Sequence, residues 1–141
     1  MNPLQSLPDY ERFIYSLPQQ YPDIQRSTLV VVRRGATIAV LHGELELSSG
    51  IRLVIREKLS FAQSPGEIKG YGYEVWWGNE QLYWYDSQPH PNEPALASTD
   101  PHHKHIPPDI KHHRVPAPDM SFSEPNLPFL LAEIENLQAM D

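Results

Sequence analysis

Apolar positions change their period twice along the chain. Over residues 7–17, Tyr10, Phe13, Ile14 and Leu17 recur at the i, i+3, i+4, i+7 spacing of one buried helix face. Pro8 suits the first turn and Pro18 ends the helix. Residues 28–33 are a β-branched run and read as a strand. A turn at Arg34-Gly35-Ala36 leads to a second strand over 37–47 and a third over 51–61, joined by the loop Ser48-Ser49-Gly50. The loop sets Leu45 opposite Leu53 and Leu47 opposite Ile51, because a one-residue slip would invert every side chain. Ile51, Leu53, Ile55, Leu59 and Phe61 then share one face, and Arg52, Arg56 and Lys58 the other.

Residues 68–77 and 81–86 are two further strands, turning at Gly78-Asn79. A regular hairpin there opposes Val75 to Leu82, Tyr73 to Trp84 and Tyr71 to Asp86. The last element is a helix over 126–140 with the apolar stripe Leu127, Leu130, Leu131, Ile134 and Leu137. Asn126 is its candidate cap and Pro128 suits its first turn. Residues 87–123 read as irregular, although parts of 104–115 are candidates to pair at a sheet edge. The expected class is α+β: an antiparallel β-meander of about five strands flanked by an N-terminal and a C-terminal helix, with a long Pro/His-rich loop. One domain over residues 1–141 is expected, with its sheet at 28–86 and its Pro/His-rich segment at 87–123.

Composition sharpens this division. Of 15 prolines, 10 lie between Pro89 and Pro128. No cysteine is present, which excludes disulfides and thiolate zinc sites. No basic stretch followed by an apolar run opens the chain, and no apolar run approaches membrane length, so a soluble cytoplasmic protein is expected. The net charge of −7 argues against broad non-specific binding to nucleic acid. Between Pro101 and Arg114, however, Lys104, Lys111 and Arg114 face only Asp109, a local +2 suited to a phosphate or an acidic partner.

The same stretch holds five of the seven histidines: His102, His103, His105, His112 and His113. Imidazole titrates near neutrality, so it donates, accepts or ligates at physiological pH. Three readings compete. In the first, His102, His103 and His105 are acid–base groups and Lys104 is the phosphate cation of a metal-independent ribonuclease. Glu57, alone on the apolar face of its strand, and Asp86 support them, with His90, Tyr85, Lys111 and Arg114 as binding residues. No cofactor is needed. Alternation along an extended segment points His103 and His105 one way and His102 and Lys104 the other, so another segment must complete the set. In the second reading His103 and His105, with His90 or a carboxylate, bind a metal ion. In the third the segment is a rigid surface loop whose histidines bond to backbone and aspartates. Aromatic residues crowd the last hairpin, where they serve packing or, as a minority alternative, base stacking. A non-catalytic module gripping a protein partner through that hairpin and the basic loop is the further alternative.

Glu57, Tyr71-Gly72-Tyr73, Tyr85-Asp86, Pro89-His90 and Pro101-His102-His103-Lys104-His105 occur in an order that resembles the TumE-like toxins of bacterial toxin–antitoxin loci. The resemblance spans residues 37–137 and is most specific in its last element. The chain departs from it at Ser87 and Pro91, where the family often has Asn and His. The resemblance implies a toxin neutralised by a small helix-turn-helix antitoxin encoded beside it. RNA as target comes from the residue chemistry alone, and a homodimer is among the candidate assemblies. Strands three and five run in the same direction, which sets Glu57 and Asp86 toward one end of the sheet. The expected site is formed where the histidine loop folds back over that end.

Overall fold

The computed structural model describes residues 2–87, 102–110 and 113–139. A 3-10 turn at Pro3–Gln5 leads into α1 (Leu7–Tyr15). Ser6 caps α1 by accepting the Asp9 N–H at 3.2 Å, with Pro8 in its first turn. The helix predicted over 7–17 breaks at Ser16, and Pro18 sits in the first turn of a separate short helix, α2 (Leu17–Gln20). Leu7, Tyr10, Ile14 and Leu17 are buried, so the apolar stripe is continuous across the break.

Among the described residues eight strands follow: β1 (Ile24–Ser27), β2 (Val30–Arg33), β3 (Ile38–Leu47), β4 (Ile51–Ser60), β5 (Glu67–Trp77), β6 (Glu80–Asp86), β7 (His103–His105) and β8 (Arg114–Pro116). They form one antiparallel sheet in the order β1-β3-β4-β5-β6-β7-β8, with β2 also pairing β3. The chain ends in α3 (Leu127–Ala139). The fold is α+β with helices at both ends of the chain, as expected, but with eight strands rather than about five. The additional strands β1, β7 and β8 are three or four residues long and mostly polar. No local alternation announces them; they are strands because a ladder partner lies beside them. The last two fall in the stretch read as irregular with edge pairing.

The β3–β4 register is the predicted one, with Leu45 opposite Leu53. The β5–β6 register is not. Val75 faces Tyr83, Tyr73 faces Tyr85 and Gly72 faces Asp86. A bulge lies between the Val75 and Trp76 pairs, where Leu82 is the extra residue on β6. That one residue exchanges the faces of everything beyond it. Tyr83 and Tyr85 join the core, while Trp84 and Asp86 turn to the opposite face.

Both long helices reach the same face of the sheet. Tyr10 of α1 bonds to Glu57, Glu133 of α3 receives a bond from Tyr85, and Asn126 donates to Tyr73. Beneath them lie Leu41, Leu45, Leu53, Ile55, Tyr73 and Val75, all fully buried. The other face carries Arg52, Arg56, Lys58 and Trp84. The Asn126 carbonyl accepts the first helical bond, from Leu130 at 3.2 Å, but its side chain does not cap the helix. It bonds instead to Ser121 and to the Tyr73 hydroxyl. Among the described residues no helix is long and apolar enough to cross a membrane.

Candidate functional site

Alternation along β7 sends His103 and His105 to the outer face of the sheet, and His102 and Lys104 to the helix-covered face. Pairing with β6 places His103 opposite Asp86 and His105 opposite Trp84. Three ionisable side chains thereby meet. His103 Nε2 contacts Asp86 Oδ1, and His105 Nε2 lies 3.3 Å from Asp86 Oδ2. The two imidazoles are 5.0 Å apart between centroids. His103 is fully buried and His105 is 2% exposed.

Ile110, in the segment after β7, lies over this face beside the cluster. The Ile110 carbonyl receives the Trp84 indole N–H at 3.3 Å and lies 3.1 Å from His105 Nδ1. A carbonyl only accepts, so the His105 proton sits on Nδ1. The His105 ring stacks on Trp84 at 4.0 Å, and Arg114 is its neighbour in the β8 ladder. Burial lowers the His105 pKa against the opposing pull of Asp86.

Asp86 also lines an open cleft of 490 Å³ bounded by Arg56, Lys58, Lys69, Gly70, Tyr71, Trp84 and Ser87. Three cations border it, one of them, Lys69, paired with Glu67 at 3.1 Å. Arg56 crosses Gly72, its partner in the β4–β5 ladder. A Cβ at Gly72 would come within 2.7 Å of the guanidinium, so glycine gives the arginine its room. Ser87 accepts the Tyr71 N–H at 2.9 Å, which fixes the chain where it leaves β6. Cationic walls beside an aromatic floor suit a phosphate and its attached base.

The other predicted residues lie elsewhere. Glu57 is fully buried on the helix side, accepting the Tyr10 and Tyr73 hydroxyls at 2.5 Å each. Burial raises its pKa, and the two hydroxyl bonds oppose that. It is near Asp86 along the sheet, since Arg56 pairs Gly72 and Gly72 pairs Asp86, but on the opposite face. The expected site shared by Glu57, Asp86 and the histidines is therefore corrected: the sheet separates Glu57 from the cluster, because the bulge turned Asp86 over.

Lys104 is likewise on the helix side, 3.2 Å from Glu133 and 4.3 Å above the Tyr83 ring. Tyr85 donates to the same Glu133 at 2.8 Å, and burial raises its pKa. His102 Nδ1 and the Tyr71 hydroxyl share a 2.6 Å hydrogen bond. Burial lowers the His102 pKa, and His103 adds to the effect. His90 and Lys111 lie outside the described residues. Sequence reasoning missed Arg56, Lys58, Lys69 and Trp84 as site residues. The signal was present in the polar face of β4, but only the true β6 register connects that face to Asp86.

No curated protein and no solved structure matches the chain. A family model described as Toxin TumE matches residues 13–138. Membership implies a toxin component with an antitoxin as its partner. With every strand of the described sheet and nearly all of α3 inside the match, the chain belongs to the TumE toxin family.

Proposed function

We propose that this toxin acts on RNA as a ribonuclease, with its substrate lying in the cleft beside Asp86. The observation that carries the reading is the union of the Asp86, His103 and His105 cluster with the cations of Arg56, Lys58 and Lys69. Strand cleavage within RNA joins the 2′-oxygen to phosphorus and breaks the bond to the 5′-oxygen. A proton leaves the 2′-hydroxyl and another reaches the departing 5′-oxygen, leaving a cyclic phosphate and a 5′-hydroxyl. The cluster is where the first proton goes, and a lysine ammonium in the cleft, recharged from water, supplies the second. Arg56 and its neighbours stabilise the charge that grows on the phosphate oxygens. Trp84 offers a ring for a base.

The metal-independent set expected from sequence is revised in this reading. His103 and His105 keep their place, while His102 and Lys104 support the fold from the other face. The antitoxin is a small helix-turn-helix protein, as the resemblance implies, and covering the cleft would neutralise the toxin.

Inducible expression followed by RNA electrophoresis tests the reading. The unaltered chain is expected to arrest growth and fragment RNA. Folded Asp86→Asn and His105→Ala variants are expected to lose about 10²–10⁴-fold in cleavage rate. Arrest that persists in the folded variants, or arrested cells and purified protein that leave RNA intact, would overturn it.

A further inference from the structure

We infer that Asp86, His103 and His105 form a binding site for one divalent transition-metal ion of the zinc type. The inference concerns the same cluster as the proposed cleavage and deepens that reading, but its geometry stands without it. One ligand atom from each residue lies within 4.8 Å of the other two. Among the described residues this is the one group of three such side chains. Zinc bonds of about 2.0–2.2 Å hold ligands about 3.4 Å apart, so small side-chain rotations close the shell.

The backbone already brings these atoms together. His103 and His105 are two apart on one strand and share its face. Asp86 is the ladder partner of His103 on the adjoining strand. Two imidazoles and one carboxylate are a ligand set for zinc and its neighbours among divalent ions, and leave further positions open.

The proton inventory points the same way. The Ile110 carbonyl holds the His105 proton on Nδ1, at 3.1 Å. The lone pair on Nε2 then faces Asp86 Oδ2 at 3.3 Å. An ion between the two would meet a lone pair on one side and a carboxylate oxygen on the other. Metal-binding histidines show this pattern: one nitrogen donates to a backbone carbonyl and the other meets the ion. Asp86 belongs both to this ligand set and to the wall of the cleft. In the proposed cleavage, hydroxide on the metal takes the 2′-hydroxyl proton and becomes water, with nothing oxidised or reduced. Arg114 across the ladder from His105, with only one carboxylate in the shell, sets the affinity below that of more acidic sites.

The test uses the full chain without a histidine tag, stripped by a chelator and returned to zinc chloride. Bound zinc is measured by elemental analysis after gel filtration, and thermal unfolding is followed with and without zinc. One zinc per chain and a raised melting temperature are expected. The His103→Ala, His105→Ala double variant is expected to lose both. Asp86→Asn, close in shape and a guard against misfolding of the double variant, is expected to bind more than about tenfold more weakly. His102→Ala and Lys104→Ala, on the other face, are expected to bind as the unaltered chain does. Failure of the stripped chain to bind zinc, or equal binding in folded variants of the cluster, would overturn the inference. RNA cleavage that survives chelation overturns the metal's part in cleavage while leaving the nuclease reading intact. Zinc bound by the cluster with RNA untouched does the reverse.

Discussion

Glu57 shows what a single buried carboxyl does to this fold. It is fully buried, with the Tyr10 and Tyr73 hydroxyls 2.5 Å from its two oxygens. Through Tyr73 it reaches Asn126, so one carboxyl links α1, the sheet and the entry to α3. Burial holds its pKa above the ordinary carboxyl range of about 4.3. The folded state then keeps its proton to higher pH than the unfolded state does. The stabilisation is therefore complete below the unfolded pKa and is lost as pH rises through the folded one. We expect the melting temperature of the unaltered chain to fall over that window relative to Glu57→Gln. Parallel pH slopes for the two proteins, measured by scanning calorimetry, would remove the argument. Tyr73→Phe should cost about 1–3 kcal/mol, because the Asn126 amide loses its buried acceptor and Glu57 a donor. Chemical denaturation measures that directly.

Two glycines show how an element serves the site or the sheet. Gly43 in β3 has φ +136°, and a Cβ there would meet the Thr28 carbonyl oxygen at 2.5 Å. This is where the chain crosses from β1 to β2 along the same edge of β3, with the Thr28 N–H donating to Glu44 at 2.9 Å. Backbone cannot step aside, so Gly43→Ala is expected to destabilise by about 2 kcal/mol or more. Gly72→Ala meets only the end of a flexible arginine. It should leave stability within about 1 kcal/mol while displacing Arg56 from the cleft. The pair is checked by denaturation together with RNA binding: Gly43→Ala shifts the first, Gly72→Ala the second. The hairpin from β3 to β4 was legible in advance because its faces differ in polarity. The hairpin from β5 to β6 was not. Leu82 and Trp84 are as apolar as Tyr83 and Tyr85, so alternation carried no sign, and the bulge at Leu82 chose.

At the scale of the whole molecule, charge limits where RNA can bind. A body of net charge −7 repels the phosphate backbone, and Arg56, Lys58 and Lys69 offset that repulsion at the cleft. Affinity for single-stranded RNA should therefore fall with salt on a shallow log–log slope of about −2, the release expected from three phosphate contacts. Lys58→Ala should flatten that slope by about 0.7. A steep slope, or one that Lys58→Ala leaves unchanged in fluorescence anisotropy titrations, would place binding elsewhere. Lys104, the cation favoured from sequence, should not change it, since it lies between Glu133 and the Tyr83 ring.

Local pattern was enough for the helical stripes, the β3–β4 register, the division of His103 and His105 from His102 and Lys104, and the need for Glu57 to find partners. Each follows from the period of an element or from the cost of burying a charge, and neither depends on what lies beside it. Long-range pairing chose the rest. Three-residue strands such as β7 have too few ladder bonds to exist alone, so their place depends on the edge of β6. The edge of β6 in turn presents Asp86 outward because of one extra residue in a hairpin whose faces are alike in polarity. Hydrophobic patterning specifies facing only where the two faces differ. At Asp86 they do not, and the side of the sheet on which the chemistry lies was settled by contacts between distant segments.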